Sequence, residues 1–103
     1  MHVLGIEGTA WAASAAVYDR DADVVHIETD PYQPDSGGID PGEAAEHMRS
    51  ALPDVIDDAL ATLDGPVDDR IDAVAFSRGP GLGPCLRVAG TAARAVAGTL
   101  DVP

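Results

Sequence analysis

At Asp40-Pro41 the spacing of apolar residues changes period, and this switch restricts the folds open to the chain. Before it, apolar runs are short and separated by turn residues. His2 to Ile6 runs into Glu7-Gly8-Thr9, Ala12 to Tyr18 into the Asp19 to Asp23 cluster, and Val24 to Thr29 into a loop at 30 to 41 with three prolines and Gly37-Gly38. Such runs predict three strands joined by two short polar turns, an antiparallel meander. After the switch, Ala45, Met48, Leu52, Val55, Ile56, Ala59, Leu60 and Leu63 recur every three or four residues, with Glu43, Glu46, Asp54, Asp57 and Asp58 off the stripe. This predicts an amphipathic helix of about six turns over roughly 41 to 63, with Asp40 as N-cap and Pro41 at its first position. Pro53 is expected to kink it or to start a second helix.

After Gly65-Pro66, Ile71 to Phe76 reads as a strand, Ser77 to Gly83 as a glycine-rich loop, and Pro84 to Leu100 as an Ala-rich helix. The predicted order is β-β-β-α-β-α. That order describes the N-terminal half-domain of the ribonuclease H-like, actin-like ATPase fold, in which the fourth strand is reached by a right-handed crossover. A Rossmann unit would place a helix between the first two strands, where only Ala-rich strand and Asp turns occur. Residues 1 to 103 are expected to form the first part of one lobe. Leu100-Asp101-Val102-Pro103 leads toward another element, so a further strand is expected beyond Pro103 and an open sheet edge without it, with self-association of the isolated segment.

Composition narrows the partners. Eighteen acidic residues face six basic ones, giving a net charge of −12 on 103 residues; every basic residue is Arg. Binding a polyanion by charge alone is excluded, because such a chain repels phosphate. Fourteen of the acids are Asp and Lys is absent, a texture expected of a salt-filled, halophilic cytoplasm, where the Debye length falls from about 8 Å to about 3 Å at 1 M salt. One cysteine allows no internal disulfide, and no apolar run approaches the roughly 18 residues of a membrane span, so a reducing cytoplasm is expected.

Five features are candidates to carry chemistry or contacts. Glu7-Gly8-Thr9 ends the first strand, where a carboxylate and backbone amides can meet a phosphate and its hydrated cation; a plain hairpin turn is the alternative. Ser77 to Gly83, with Ser77, Gly79 and Gly81, serves either tight strand-to-helix packing or a ligand-facing loop; no Gly-Lys-Ser/Thr follows it, so it is not a Walker loop. Cys85, in the first turn of the last helix, is either a low-pKa thiol or a small packed residue, the latter favoured. His47, beside Glu43 and Glu46, reads as solvated or capping rather than as a ligand. Ala89 and Ala93, on the small-residue surface of the last helix, suit either close helix packing or the sheet.

Gly5-Ile6-Glu7-Gly8-Thr9-Ala10, Gly37-Gly38-Ile39 through His47, and Gly79-Pro80-Gly81-Leu82-Gly83-Pro84-Cys85-Leu86-Arg87 together resemble the N-terminal third of the TsaD family in its archaeal and eukaryotic branch. That branch is the catalytic subunit of the KEOPS complex, once described as an O-sialoglycoprotein endopeptidase. The resemblance covers essentially the whole chain. It departs from the usual pattern at Trp11, Asp40, Gly42 and Met48, where His or basic residues are common.

The resemblance implies a tRNA threonylcarbamoyltransferase that uses threonylcarbamoyl-AMP or an ATP-like nucleotide and modifies the adenosine beside the anticodon of tRNAs reading ANN codons. It implies a divalent metal, iron or zinc, held by a His-x-x-x-His motif downstream of Pro103; within this segment no metal ligands and no catalytic residues are expected, and the segment alone is expected to be inactive. Glu7, Gly8 and Thr9 take the phosphate side of the nucleotide, with Ser77, Gly79 and Gly81 as further contacts. Met48, Leu52, Val55, Ala89 and Ala93 fall on the two helices that face a small dimerising KEOPS subunit. A kinase subunit, fused or separate, and tRNA complete the expected assembly. A scaffold paralogue of the same fold, a metalloprotease and a sugar-kinase-type phosphotransferase are the alternatives; no His-Glu-x-x-His occurs, and the first loop lacks the Asp usual in such kinases.

Overall fold

A computed structural model describes residues 1–103. Three strands, β1 (His2–Glu7), β2 (Ala12–Asp19) and β3 (Val24–Pro31), form the meander; α1 (Pro41–Leu60) leads through a short 3₁₀ turn at Val67–Asp69 to β4 (Ala73–Phe76), and α2 (Gly83–Leu100) follows. The sheet order is β3-β2-β1-β4, with β4 parallel to β1 and the other pairs antiparallel. The antiparallel first pair removes the Rossmann alternative.

Alternation decides what each strand residue faces. Leu4 pairs with Val17 and Val74, and Ile6 with Ala15 and Phe76, so these rows share one face. Both helices cover it, α1 over β2 and α2 over β4. Leu4, Ile6, Ala13, Ala15 and Val17 are buried there against Ala44, Met48, Leu52, Val55, Ala59, Ala89 and Ala93. Burying each large side chain contributes about 1.5–3 kcal/mol. The opposite face carries Val3, Gly5, Ala16, Tyr18, Val25 and Ile27 and is bare; Ile27 is 62% exposed.

Helix α1 begins as its residues dictate. Asp40 Oδ1 accepts from the Glu43 amide at 3.0 Å, and Pro41 opens the first turn. The helix ends at Leu60, three residues short of the expected limit. Pro53 neither breaks nor restarts it, for the ring stands on the exposed side and the carbonyl left without a donor, that of exposed Arg49, can bond water. Strand β4 is two residues shorter than the sequence suggests. Asp72 is spent on the turn into it, its amide donating to the His2 carbonyl at 2.9 Å and its Oδ2 accepting from the His2 amide at 2.8 Å. Strand β4 forms one sheet edge, touched at Val74, whose amide donates to the Pro103 carbonyl at 2.9 Å.

Candidate functional site

Glu7 is the last residue of β1, and the chain turns at once into Gly8 and Thr9. Thr9 folds back on the acid: its hydroxyl donates to Glu7 Oε1 at 2.5 Å, and its amide donates to Oε1 and Oε2 at 3.2 and 3.3 Å. The carboxylate is thereby fixed at the C-terminal end of β1. Glu7 is the one charged residue among the paired positions of the bare sheet face. It shares an open cavity of about 400 Å³ with Gly5, Ser14, Ala16, Ala75 and Ser77.

The second loop closes on the first. The Ser77 amide donates to the Ile6 carbonyl at 3.0 Å, continuing the β1–β4 ladder, and the Leu82 amide donates to the Thr9 carbonyl at 2.9 Å. Gly81 lies so close to Thr9 that a Cβ there would stand 2.7 Å from both its Cβ and its carbonyl oxygen. At Gly81, then, glycine serves close packing, whereas Ser77 opens onto the cavity and Gly79 is exposed. Helix α2 starts beside this junction with no side-chain cap and no acid in its first turn, in contrast to α1 with Asp40 and Glu43. Its positive end is free to favour an anion. Cys85, in that first turn, is fully buried; burial foremost, and then the Glu7 carboxylate, push its thiol up from the ordinary 9.0. The favoured reading of Cys85 as a small packed residue therefore holds.

An aromatic cluster stands beyond the first turn, and the sequence reading missed it. Trp11, 53% exposed, stacks on buried Tyr32 with ring centroids 6.2 Å apart; Tyr32 meets His47 at 5.9 Å. The Tyr32 amide donates to the Trp11 carbonyl at 2.7 Å, which extends the β2–β3 ladder by one step. His47 caps no helix and remains partly exposed. It is half-buried, with Nε2 3.0 Å from the Asp30 carbonyl oxygen. Two of the four aromatic residues meet here, but at positions 11 and 32, too far apart in sequence for a periodic pattern to link them.

The five residues expected to face a partner do not. Met48, Leu52, Val55, Ala89 and Ala93 are at most 5% exposed, because the apolar stripe of each helix packs onto the sheet and onto the other helix. What the helix pair offers outward is a groove of about 590 Å³, with Met48 and Leu52 at its floor and Arg49, Pro53, Arg87 and Val88 along its walls. No group of three or more His, Cys, Asp or Glu comes together to hold a metal ion. No helix is long and apolar enough to cross a membrane.

A meander followed by alternating helix and strand, with an acid-bearing turn after the first strand locked to a glycine loop before the last helix, defines the N-terminal lobe of an actin-like ATPase fold. YeaZ from Pseudomonas aeruginosa shares this fold, with a TM-score of 0.72 at 21% identity over all of this chain and 42% of that one. Residues 23–103 match the family model "TsaD: tRNA N6-adenosine threonylcarbamoyltransferase". The chain belongs to the TsaD family. It is 69% identical to the "Probable bifunctional tRNA threonylcarbamoyladenosine biosynthesis protein" of Halobacterium salinarum, over all of this chain and 19% of that protein. It is 52% identical to the "tRNA N6-adenosine threonylcarbamoyltransferase" of Methanococcoides burtonii, over 98% of this chain and 30% of that protein. It thus spans 19% to 30% of the length of these relatives.

Proposed function

We propose that this chain is the opening part of the N-terminal lobe of a tRNA N6-adenosine threonylcarbamoyltransferase, and that it supplies the phosphate-side floor of the site. In the whole protein the adenosine N6 amine attacks the acyl carbon of threonylcarbamoyl-AMP; the new C–N bond forms as the acyl–phosphate bond breaks, and AMP leaves. The observation that carries this reading is the Glu7–Thr9 turn, clamped by Gly81 and Leu82 at the bare start of α2, in a chain of this family. Thr9 holds the Glu7 carboxylate still, where it can order a hydrated cation on the leaving phosphate, and the α2 amides favour that phosphate's charge.

A divalent metal, iron or zinc, held elsewhere in the whole protein would polarise the acyl group. The residues here assemble no ligand set for it, so no step is assigned to it in this segment. Other KEOPS subunits, a small dimerising one and a kinase, are the proposed partners, the former on the outer faces of α1 and α2 beside the groove. Tightly bound cofactor is not expected on the segment alone, nor activity; its β4 edge, covered only at Val74 by Pro103, is expected to make it self-associate. With −12 of net charge, contact with tRNA falls to other parts of the complex. The setting is cytoplasmic and halophilic, in keeping with the Halobacterium relative.

The test is direct. Full-length protein, partners, threonylcarbamoyl-AMP and an ANN-reading tRNA transcript should yield threonylcarbamoyladenosine by mass spectrometry of digested nucleosides, and residues 1–103 alone should yield none. No product with the complete system would overturn the proposal, and glycoprotein cleavage instead would revive the peptidase reading.

A further inference from the structure

Glycine at position 8 is not there for its backbone. The glycines with positive φ are Gly37, Gly65 and Gly79; Gly8 is not among them. Space is the reason. A Cβ on Gly8 would stand 3.3 Å from Leu52 Cδ1, 3.3 Å from Met48 Sδ and 3.5 Å from Ala89 Cβ. Each of those residues is at most 1% exposed, and Gly8 is itself buried. The turn therefore rests directly on the helix pair, with no side chain of its own between. From the other side it is clamped by Gly81 against Thr9 and by the Leu82–Thr9 hydrogen bond.

We propose that Gly8 and Met48 are positioning residues: the side chains of α1 and α2 beneath Gly8 set the height of the Glu7–Thr9 turn, and so the placement of the Glu7 carboxylate against the phosphate. The proposal rests on the reading of that turn as the phosphate side of a nucleotide site. At 3.3 Å from Leu52 Cδ1 and Met48 Sδ, an added methyl requires the neighbours or the turn to give by a few tenths of an ångström in a close-packed site. Helix α1 is pinned on the sheet by Ala44, Leu52, Val55 and Ala59, so a methyl at position 8 is accommodated between the Met48 and Leu52 side-chain ends and the turn that rests on them. Met48 is the most adaptable of the three supports, being unbranched and flexible, and its truncation frees the room that a Cβ at position 8 needs.

The experiment is a double-mutant cycle in the full-length protein at molar KCl, read by fluorescence titration with mant-ATP and by thermal denaturation. Gly8→Ala should weaken mant-ATP about tenfold in protein that is still folded, and Gly8→Ala with Met48→Ala should bind within about threefold of wild type. Met48→Ala alone should speed amide hydrogen exchange over residues 8 to 11 while leaving that of Leu4 and Ile6 unchanged, a readout that stands even where Gly8→Ala does not fold. Affinity unchanged in Gly8→Ala, a loss that Met48→Ala does not restore, or uniform exchange in Met48→Ala would each overturn the assignment while leaving the function standing. Wild-type protein that fails to bind mant-ATP would bring down the nucleotide reading itself, and the assignment with it.

Discussion

The two faces of one sheet have opposite fates in this chain. Leu4, Ile6, Ala15 and Val17 point to the helices and are at most 2% exposed, while Tyr18, Val25 and Ile27, on the opposite face of the same sheet, stand 38 to 62% exposed. Strand β3 shows the contrast most clearly: its apolar Val25 and Ile27 lie on the bare face, and His26, Glu28 and Asp30 on the helix side at its margin. The covered face is where stability is made. It also seats the Glu7–Thr9 turn, because Gly8 rests on the same helix side chains that fill the core. The bare face contributes a floor of small residues beside Glu7.

Substitutions on the two faces should separate accordingly. Leu4→Ala, on the covered face, should cost about 2–5 kcal/mol of unfolding free energy in a denaturant titration, since a fully buried site leaves a cavity. Gly81→Ala should cost about 1–3 kcal/mol, because its methyl meets Thr9 backbone at 2.7 Å, and should weaken nucleotide binding as well. A loss at position 81 confined to stability would detach that loop from the site.

Charge follows the same division. Apart from Glu7, the paired residues of the bare face carry no charge, whereas the outer side of α1 carries Glu43, Glu46, Asp54, Asp57 and Asp58, all exposed. Raising KCl from low concentration to molar should therefore raise the melting temperature by screening the helix side. A flat salt series would remove the halophilic reading.

A smaller effect lies beneath the site. Burial keeps the Cys85 thiol neutral, so its contribution to stability is complete below pH 9.0 and is lost as the pH rises past 9.0 toward its higher native value. Native protein at pH 8 should react with a thiol reagent far more slowly than unfolded protein. The smallest expected effect is at Ile27→Thr on the bare face of the isolated segment, within about 0.5 kcal/mol of wild type.

Element order, the Asp40 cap and the two loops were legible in the sequence because each rests on local chemistry: a change of period, a carboxylate before proline, glycines between strand and helix. Three features were not. The 3₁₀ turn at Val67–Asp69 has no period of its own. The partner surface on α1 and α2 comes from the resemblance and not from the apolar period, and Met48 and Ala89 spend their apolar atoms on the sheet and on Gly8. The Trp11–Tyr32–His47 cluster joins a turn, a strand end and a helix, and it exists only once β2 and β3 are in register.

The claim that this lobe opens a threonylcarbamoyl transfer site on the Glu7 turn is tested most directly by one comparison. Full-length wild type, Glu7→Gln and Ile27→Thr, each shown to be folded, are given threonylcarbamoyl-AMP, partners and tRNA, and the rate of threonylcarbamoyladenosine formation is measured. The account predicts a loss of at least about tenfold in Glu7→Gln and an unchanged rate in Ile27→Thr. Equal rates in wild type and Glu7→Gln would contradict it.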